Sequence, residues 1–309
     1  MSNYRFLIDE QFEGERLDKG LSLLTDDSFS RSFLQKLIKE KKVFVNDNAQ
    51  KSSYLLKDGD EIFFEAPECV TPEIIAQDIP LDILYEDEDV IVVNKPKDMV
   101  VHPAPGHMND TLVNALMFHC AGSLSGINGV LRPGIVHRID KDTTGSVIAC
   151  KNDLAHKCIA EQLKQHSINR KYRAIVHGIV RDDEGRIETL IGRDPKDRKK
   201  MSARVSDGKN AVTHYRVIER FKEYTYIECS LETGRTHQIR VHMAYIGYPL
   251  LGDMIYGNRK NPYKIESQCL HAYILGFKQP TTGEYIETCA ELPQYFKSLL
   301  EKLGSNEVK

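Results

Sequence analysis

Between residues 170 and 231 the sequence is dominated by strand-like runs. The runs 170–177, 212–219 and 224–231 alternate apolar with polar or aromatic residues, and 188–191 is a shorter strand candidate. Such alternation is typical of antiparallel sheets, which bury one face and leave the other in water. We expect the two most regular runs, 212–219 and 224–231, to pair. A chain with this segment is therefore predicted to build a large sheet.

The composition narrows the class of protein. The 309 residues are 41% hydrophobic and 28% charged, as in an ordinary globular protein with one large domain or two moderate ones. No run of about 18 apolar residues and no signal-peptide core occurs, so neither a membrane span nor a leader is predicted. Seven dispersed cysteines without a Cys-x-x-Cys pair predict neither zinc nor disulfides, and favour the cytoplasm.

The formal net charge of −3 means that any contact with nucleic acid must come from local basic patches. Residues 193–209 contain seven basic and three acidic residues. This segregation favours a phosphate-binding patch, with a solvated loop as the alternative. The RNA-contact candidates in it are Arg198, Lys199 and Lys200.

A small unit is predicted at residues 14–65. It contains a short helix at 16–24 and a second helix that Ser30 caps, followed by strands at 43–46 and 61–64. Basic residues lie off the apolar stripe of the second helix or directly after the helix. They are candidates for RNA contact, and a solvated helix face is the simpler alternative. These candidates are Arg31, Lys36, Lys39, Lys41 and Lys42.

Residues 66–80 carry three prolines and little periodicity, so they are predicted to link the small unit to a second domain at 81–303. In that domain His102 and His107 could ligate a metal. Because no third ligand lies in phase with them, loop packing or substrate contact is favoured and no metal site is predicted.

The first candidate for chemistry is the stretch 134–145. Ile135 and Val136 are expected to form a short strand that leads to His137, Arg138 and Asp140, and a polar turn then precedes a strand at 146–150. A carboxylate beside fixed cations stays ionised and can be aimed, as a nucleophile or a base requires. A solvated, charge-rich turn is the alternative.

The second candidate is the stretch 232–242. Gly234 is predicted to end a strand and Thr236 to cap a helix that runs to about residue 246. His237 and Arg240 are three residues apart and would share one side of that helix. Together with Arg235 they suit the binding of an anion at a helix start, with a structural salt bridge as the alternative.

Three segments occur in order along the chain: His-Arg-Ile-Asp-Lys-Asp-Thr-Thr-Gly, Lys-Tyr-Arg-Ala-Ile-Val, and Gly-Arg-Thr-His-Gln-Ile-Arg-Val-His. Together they closely resemble the ribosomal large-subunit pseudouridine synthases over about residues 82–295. Ile139 stands where leucine is usual and Thr144 where serine is usual, and neither change removes a functional group. Residues 14–65 resemble the RNA-binding domain first known from ribosomal protein S-four, which implies that the basic helix grips the RNA backbone.

The resemblance implies an α+β fold, with a long, mostly antiparallel mixed sheet around a central cleft. It implies isomerisation of uridine to pseudouridine in RNA without any cofactor, with large-subunit rRNA as the first expected partner and tRNA as the second. Asp140 would be the catalytic carboxylate, acting either on the uracil ring or at the ribose. Arg240 and Tyr172 are the other expected catalytic residues. Arg240 would pair with Asp140, and Tyr172 would stack on a flipped uracil and help to move the proton at carbon 5. Arg138 would enter the gap left by the flipped base or hold its phosphate. The other expected substrate contacts are His137, Arg235 and His237.

Two rival functions are a non-catalytic RNA-binding factor for ribosome assembly and a hydrolase that uses His137 with Asp140. The intact set of Asp140, Tyr172 and Arg240 argues against the first. No Gly-x-Ser-x-Gly motif, metal cluster or paired acidic site supports the second. A monomer is the simpler expectation for the oligomeric state.

Overall fold

The computed structural model of the chain describes residues 2–25, 28–66, 74–104, 107–129, 132–197, 200–257 and 262–305. Two compact units make up the chain, Met1–Pro72 and Glu73–Lys309. Residues 74–80, which composition assigns to the linker, pack within the second unit. Ile74 is buried in its core, and the side chain of Asn114 donates to the carbonyl of Ile75 at 2.8 Å. The prolines predicted irregular backbone but not this packing, and residues 67–73 lie outside the described part of the chain.

As far as its residues are described, the small unit has a four-stranded sheet in the order β1-β4-β2-β3, two helices and a 3-10 turn. Ser30 caps the second helix as predicted, because its side chain accepts from the Phe33 N–H at 3.2 Å. The apolar stripe of that helix is buried in the core of the unit. The elements are β1 Ser2–Leu7, the 3-10 turn Glu10–Phe12, α1 Leu17–Leu24, α2 Arg31–Lys39, β2 Val43–Val45, β3 Asn48–Ala49 and β4 Glu61–Ala66.

The large unit contains a ten-stranded sheet in the order β10-β9-β11-β12-β8-β13-β7-β6-β5, with β14 paired to β13. The pair β13–β7 is parallel, and the other pairs that the structure describes are antiparallel. The strands are β5 Ile83–Glu86, β6 Val90–Lys95, β7 Thr144–Cys150, β8 Asn169–His177, β9 Glu184–Arg193, β10 Met201–Ser202, β11 Lys209–Arg220, β12 Tyr224–Leu231, β13 Leu270–Lys278 and β14 Tyr285–Cys289.

In the described residues of the large unit, four helices accompany this sheet: α3 Leu112–His119, α4 Asp153–Lys164, α5 Gln238–Tyr245 and α6 Gln294–Ser305. None of the helices described is long and apolar enough to cross a bilayer. The mostly antiparallel mixed sheet confirms the predicted α+β class, and β11 pairs with β12 as expected.

The predicted strand at Ile135 and Val136 does not form. Ile135 makes one isolated bridge to Ala149 of β7. The next amide along β7, that of Ile148, donates to Nε2 of His137 at 3.0 Å instead of to a backbone carbonyl. A side chain thus ends the ladder after one bridge, and the segment leaves the sheet as the loop that carries Asp140.

Candidate active site

The loop bearing Asp140 is fixed by a buried lysine. Lys95 ends β6, is fully buried, and its Nζ donates at 2.8 Å to the carbonyls of Pro96, Met99 and Lys141. Burial lowers the pKa of Lys95 to about 7, against the opposing charges of nearby aspartates that include Asp140. Since Lys141 follows Asp140 directly, Lys95 ties the backbone beside the carboxylate to the end of β6.

The start of α5 differs from the prediction. Thr236 does not cap the helix, because the N-cap position belongs to His237, which adopts a left-handed conformation with φ of 56°. A non-glycine residue in this region is uncommon and is held by its surroundings. Here the ring of His237 is held by the hydroxyl of Tyr256, 2.8 Å from Nδ1.

Arg240 of α5 joins two carboxylates. Its Nη1 donates to Oδ2 of Asp140 at 2.8 Å. Its Nε and Nη2 donate to the two oxygens of Asp253 at 2.7 and 3.0 Å. Asp253 also accepts from the backbone N–H groups of Ile255 and Tyr256. The guanidinium is thus oriented from behind by Asp253 and presents one edge to Asp140, as the resemblance implied.

These contacts shift the ionisation of the network. Burial alone would lower the pKa of Arg240, but the hydrogen bonds and charge of Asp253 and the charge of Asp140 raise it. Burial would raise the pKa of Asp253, yet Arg240 and the two backbone N–H groups hold it below its usual value. Asp253 and Arg240 therefore remain a charged pair, and Asp140 faces a permanent cation.

Tyr256 connects this network to residues 193–209, the segment rich in basic residues, which is called the basic loop below. Its hydroxyl accepts from the N–H of Met201 at 2.8 Å and lies 2.8 Å from Nδ1 of His237. Because the oxygen already accepts from Met201, the arrangement that satisfies both groups has Tyr256 donate to Nδ1. The proton of a neutral His237 then sits on Nε2, which lies 3.8 Å from Oδ1 of Asp140. Burial lowers the pKa of His237, against the charge of Asp140.

Asp140, His237 and Arg240 line a cleft of about 530 Å³. Tyr172 of β8 lines it and is buried, and its hydroxyl has no hydrogen-bond partner among the described residues. Burial raises the pKa of Tyr172, the charge of Arg170 opposes this rise, and the charge of Asp140 adds to it. Arg170, two residues earlier on the same face of β8, also lines the cleft. The structure therefore brings Asp140, Tyr172 and Arg240 to one cavity.

The four predicted substrate contacts also line the cleft, but they differ in exposure and in hydrogen bonding. Arg138 is exposed there, whereas Nε of Arg235 donates to the carbonyl of Asn210 at 2.9 Å. His137 uses Nε2 to accept from the Ile148 amide, so that nitrogen is not free to activate water. This geometry argues against the hydrolase that would use His137.

The predicted RNA contacts of the small unit are placed unequally. Lys36, Lys39, Lys41 and Lys42 are exposed. Lys42 pairs with Glu40 at 2.8 Å, and Lys36 lies 3.8 Å from the same carboxylate.

Arg31, which begins α2, is also exposed, and its guanidinium pairs with a buried carboxylate of the small unit. It lies 2.9 Å from buried Asp18, which also accepts from Arg16 and Gln35. Burial would raise the pKa of Asp18, but these donors lower it to about 2. In the basic loop, Lys200 is partly buried and lies 3.9 Å from Asp197, while Arg198 and Lys199 fall outside the described residues.

Sequence reasoning missed four residues of this site: Lys95, Arg170, Asp253 and Tyr256. Arg170 had a detectable signal, because it shares the inward register of Tyr172 on an alternating strand. Asp253 and Tyr256 lie in the segment Gly-Asp-Met-Ile-Tyr-Gly at 252–257, whose residues match no helix or strand period. Their roles follow from contacts that only the folded chain makes.

Comparison with known proteins identifies the family. The model of the RNA pseudouridylate synthase family matches residues 89–245, which include both polar stretches and β8. The chain belongs to this family. It is therefore an enzyme that isomerises uridine to pseudouridine in RNA.

Relatives extend the likeness to the whole chain. An uncharacterized RNA pseudouridine synthase of Bacillus subtilis, YlyB, is 51% identical over 306 residues, 99% of this chain and 100% of that protein. Ribosomal large subunit pseudouridine synthase D of Zymomonas mobilis is 46% identical over 315 residues, covering 98% of each chain. The solved structure of human RNA pseudouridylate synthase domain containing 1 has a TM-score of 0.57 at 24% identity. It covers 74% of this chain and 97% of its own, and supports the fold.

Proposed function

We propose that this enzyme isomerises a uridine of large-subunit ribosomal RNA, with Asp140 as the catalytic carboxylate and the target base flipped into the cleft. The observation that carries the proposal is the Asp140 carboxylate, held at 2.8 Å by an arginine that Asp253 orients. The choice of rRNA is supported by the name of the Zymomonas mobilis relative, which covers nearly the whole chain.

The reaction rearranges one nucleotide and needs no outside reagent. The bond from uracil N1 to ribose C1′ breaks, the uracil turns, and a bond from C5 to C1′ forms. The proton leaves C5 and N1 gains one, so the product has the composition of the substrate. Asp140 assists either by adding to the uracil ring or by acting at the ribose.

The neighbours of Asp140 supply the conditions for this step. Arg240 places a fixed positive charge beside the carboxylate and aims it, because the charge and orientation of Arg240 are themselves held by Asp253. Tyr172 offers an aromatic face to the extruded uracil and a hydroxyl near C5. Arg138 is exposed at the rim, where it can enter the space that the flipped base leaves.

Release of tritium tests the proposal, because the hydrogen on uracil C5 is lost in every turnover. Transcripts of large-subunit rRNA and of tRNA, labelled at uracil C5, would be incubated with wild type, Asp140→Asn and Asp183→Asn. Asp183 is a matched control, since its carboxylate is 86% exposed and does not line the cleft.

We expect wild type and Asp183→Asn to release tritium from large-subunit rRNA at similar rates. Asp140→Asn should be slower by about 10⁴-fold, as for loss of a catalytic carboxylate, and should still bind the RNA. Equal release by Asp140→Asn would overturn the role of Asp140. Release from tRNA alone would overturn the proposed substrate, and binding without release from either RNA would support the non-catalytic factor.

A further inference from the structure

A buried cation on the β8 wall of the cleft has no anionic partner in the described part of the chain. Arg170 is 7% exposed, and its Nη2 donates to the carbonyl of Glu232 at 3.0 Å. Its Nε is buried and has no hydrogen-bond partner among the residues that the structure describes. No described carboxylate forms an ion pair with this guanidinium. Burial accordingly lowers the pKa of Arg170.

The backbone beside Arg170 makes room for it. Gly234 also lines the cleft, and a Cβ on this residue would lie 2.8 Å from Nη1 of Arg170. Any side chain at 234 would therefore have to displace the guanidinium. Burying an ion without a counter-charge is unfavourable, so a wall shaped to hold one indicates a ligand that brings the missing charge.

The charges around the cleft specify the sign of that ligand. The Lys and Arg side chains that line it outnumber its carboxylates by five to one: Arg138, Lys164, Arg170, Arg235 and Arg240 against Asp140. Arg240 is already neutralised by Asp140 and Asp253. The nearby His137 is kept neutral, because burial and the charge of Arg170 lower its pKa to about 3. An anion is what this wall lacks.

We propose that Arg170, beside Gly234, binds a phosphodiester group of the RNA strand that carries the flipped uridine. The inference rests on the proposed function, because it takes the occupant of the cleft to be a nucleotide of RNA. Arg170 lies two residues, about 6.6 Å of strand, from Tyr172 and on the same face, so one strand holds base and backbone together. A neutral uracil carbonyl would leave the buried charge uncompensated, whereas a phosphate cancels it.

The first test compares stability with RNA binding. Arg170→Met and Arg170→Gln remove the charge, and Gln keeps a donor for the Glu232 carbonyl. Both would be made in the full chain with Asp140→Asn, so that the probe stays unmodified. The probe is an unmodified stem-loop transcript that the wild-type enzyme isomerises, or the large-subunit rRNA transcript if no stem-loop reacts. Affinity would be measured across a range of KCl concentrations.

We expect RNA affinity to fall about 10-fold, as for loss of one charge-assisted contact. The slope of log affinity against log salt should fall in magnitude by about 1. The melting temperature should stay level or rise, since an uncompensated buried charge is gone. Arg173→Met is the matched control: Arg173 lies on the other face of β8 and pairs with Glu228 at 3.0 Å. It should lower the melting temperature and leave the salt slope unchanged.

The second test identifies the phosphate. A neutral methylphosphonate would replace each phosphate flanking the target uridine in turn. At one position it should weaken binding by the parent and add nothing further in Arg170→Gln, because both changes remove the same contact.

The subsite is overturned if the Arg170 variants bind with the parent's affinity and salt slope, or if affinity falls with the slope unchanged. The subsite is also overturned if, at every phosphate, the effects of the methylphosphonate and of Arg170→Gln on the binding free energy are fully additive. If Arg170→Met fails to fold, Arg170→Gln and the methylphosphonates decide. The proposed function has separate tests: it fails if the wild-type enzyme does not isomerise the rRNA, or if Asp140→Asn is as active as wild type.

Discussion

Two buried arginines line the same cleft in opposite electrostatic states. Arg240 on α5 contacts two carboxylates at 2.7 to 3.0 Å, and those partners raise its pKa. Arg170 on β8 contacts a carbonyl and no described carboxylate, and burial lowers its pKa. The charge of Arg240 is therefore paired before RNA binds. Arg170 gains a counter-charge only when an anion binds.

The difference separates two tasks that a cleft for nucleotides must perform. A group that takes part in chemistry has to be oriented in advance, and Asp253 does this for Arg240 from behind. A group that captures the strand can remain unpaired, so that binding repays the unfavourable burial. On this account Arg240 and its carboxylate partners govern the rate of isomerisation together with Tyr172, and Arg170 governs affinity.

Arg240→Met should give the largest effect. It would leave Asp253 buried without a counter-charge, which costs about 3–5 kcal/mol of unfolding free energy, and isomerisation should fall by more than about 10³-fold. Urea unfolding measures the change in unfolding free energy, and tritium release measures the rate of isomerisation. The double variant Arg240→Met with Asp253→Asn should regain most of the stability and none of the activity. A double variant as unstable as the single one would contradict the pairing of these two residues.

His137, whose pKa is lowered by burial and by the charge of Arg170, provides a pH test. Its folded pKa of about 3 lies below the usual 6.5, so the unfolded chain binds a proton that the folded chain does not. The contribution of His137 to stability is therefore full above pH 6.5 and declines as the pH falls toward 3, by about 1.4 kcal/mol per pH unit. His137→Gln keeps an acceptor for the Ile148 amide and should lose that slope. Parallel stability curves for the two proteins would refute the assignment.

Tyr256→Phe should give the smallest effect. It keeps the ring beside Arg240, 5.2 Å from the guanidinium carbon, and removes the hydroxyl shared by Met201 and His237. Loss of the hydrogen bond to His237, worth about 1 kcal/mol, should slow isomerisation about 5-fold. The ¹⁵N spectrum of His237 should show the Nε2–H tautomer in wild type and a mixture in the variant. An Nδ1–H tautomer in wild type would contradict the arrangement on the α5 side.

The sequence was sufficient for the fold class and for the principal members of the cleft. Alternation over 212–231 predicted the β11–β12 pair, and the ordered motifs placed Asp140, Tyr172 and Arg240, which the structure brings to one cavity. The roles of these residues stay predictions. Chemistry-bearing residue types at fixed spacing are visible in a sequence because they lie within one local segment.

The features that escaped sequence analysis depend on distant contacts. Asp253 is a lone acid thirteen residues after Arg240, and its bidentate pairing exists only once the following turn folds back. Capping rules favoured Thr236, but His237 takes the N-cap position in a left-handed conformation, and its ring contacts the Tyr256 hydroxyl. The missing counter-charge of Arg170 is likewise a property of the folded cleft, since nothing in its strand pattern records which acids come near.

Steady-state kinetics on one reactive stem-loop would test the division of labour most directly. Asp253→Asn should lower kcat by about 10²-fold, because Arg240 and Asp140 lose their orientation, and leave KM within about 2-fold. Arg170→Gln should raise KM by about 10-fold and leave kcat within about 2-fold. If both variants change the same parameter, the two sides of the cleft do not have separate tasks and the account is wrong.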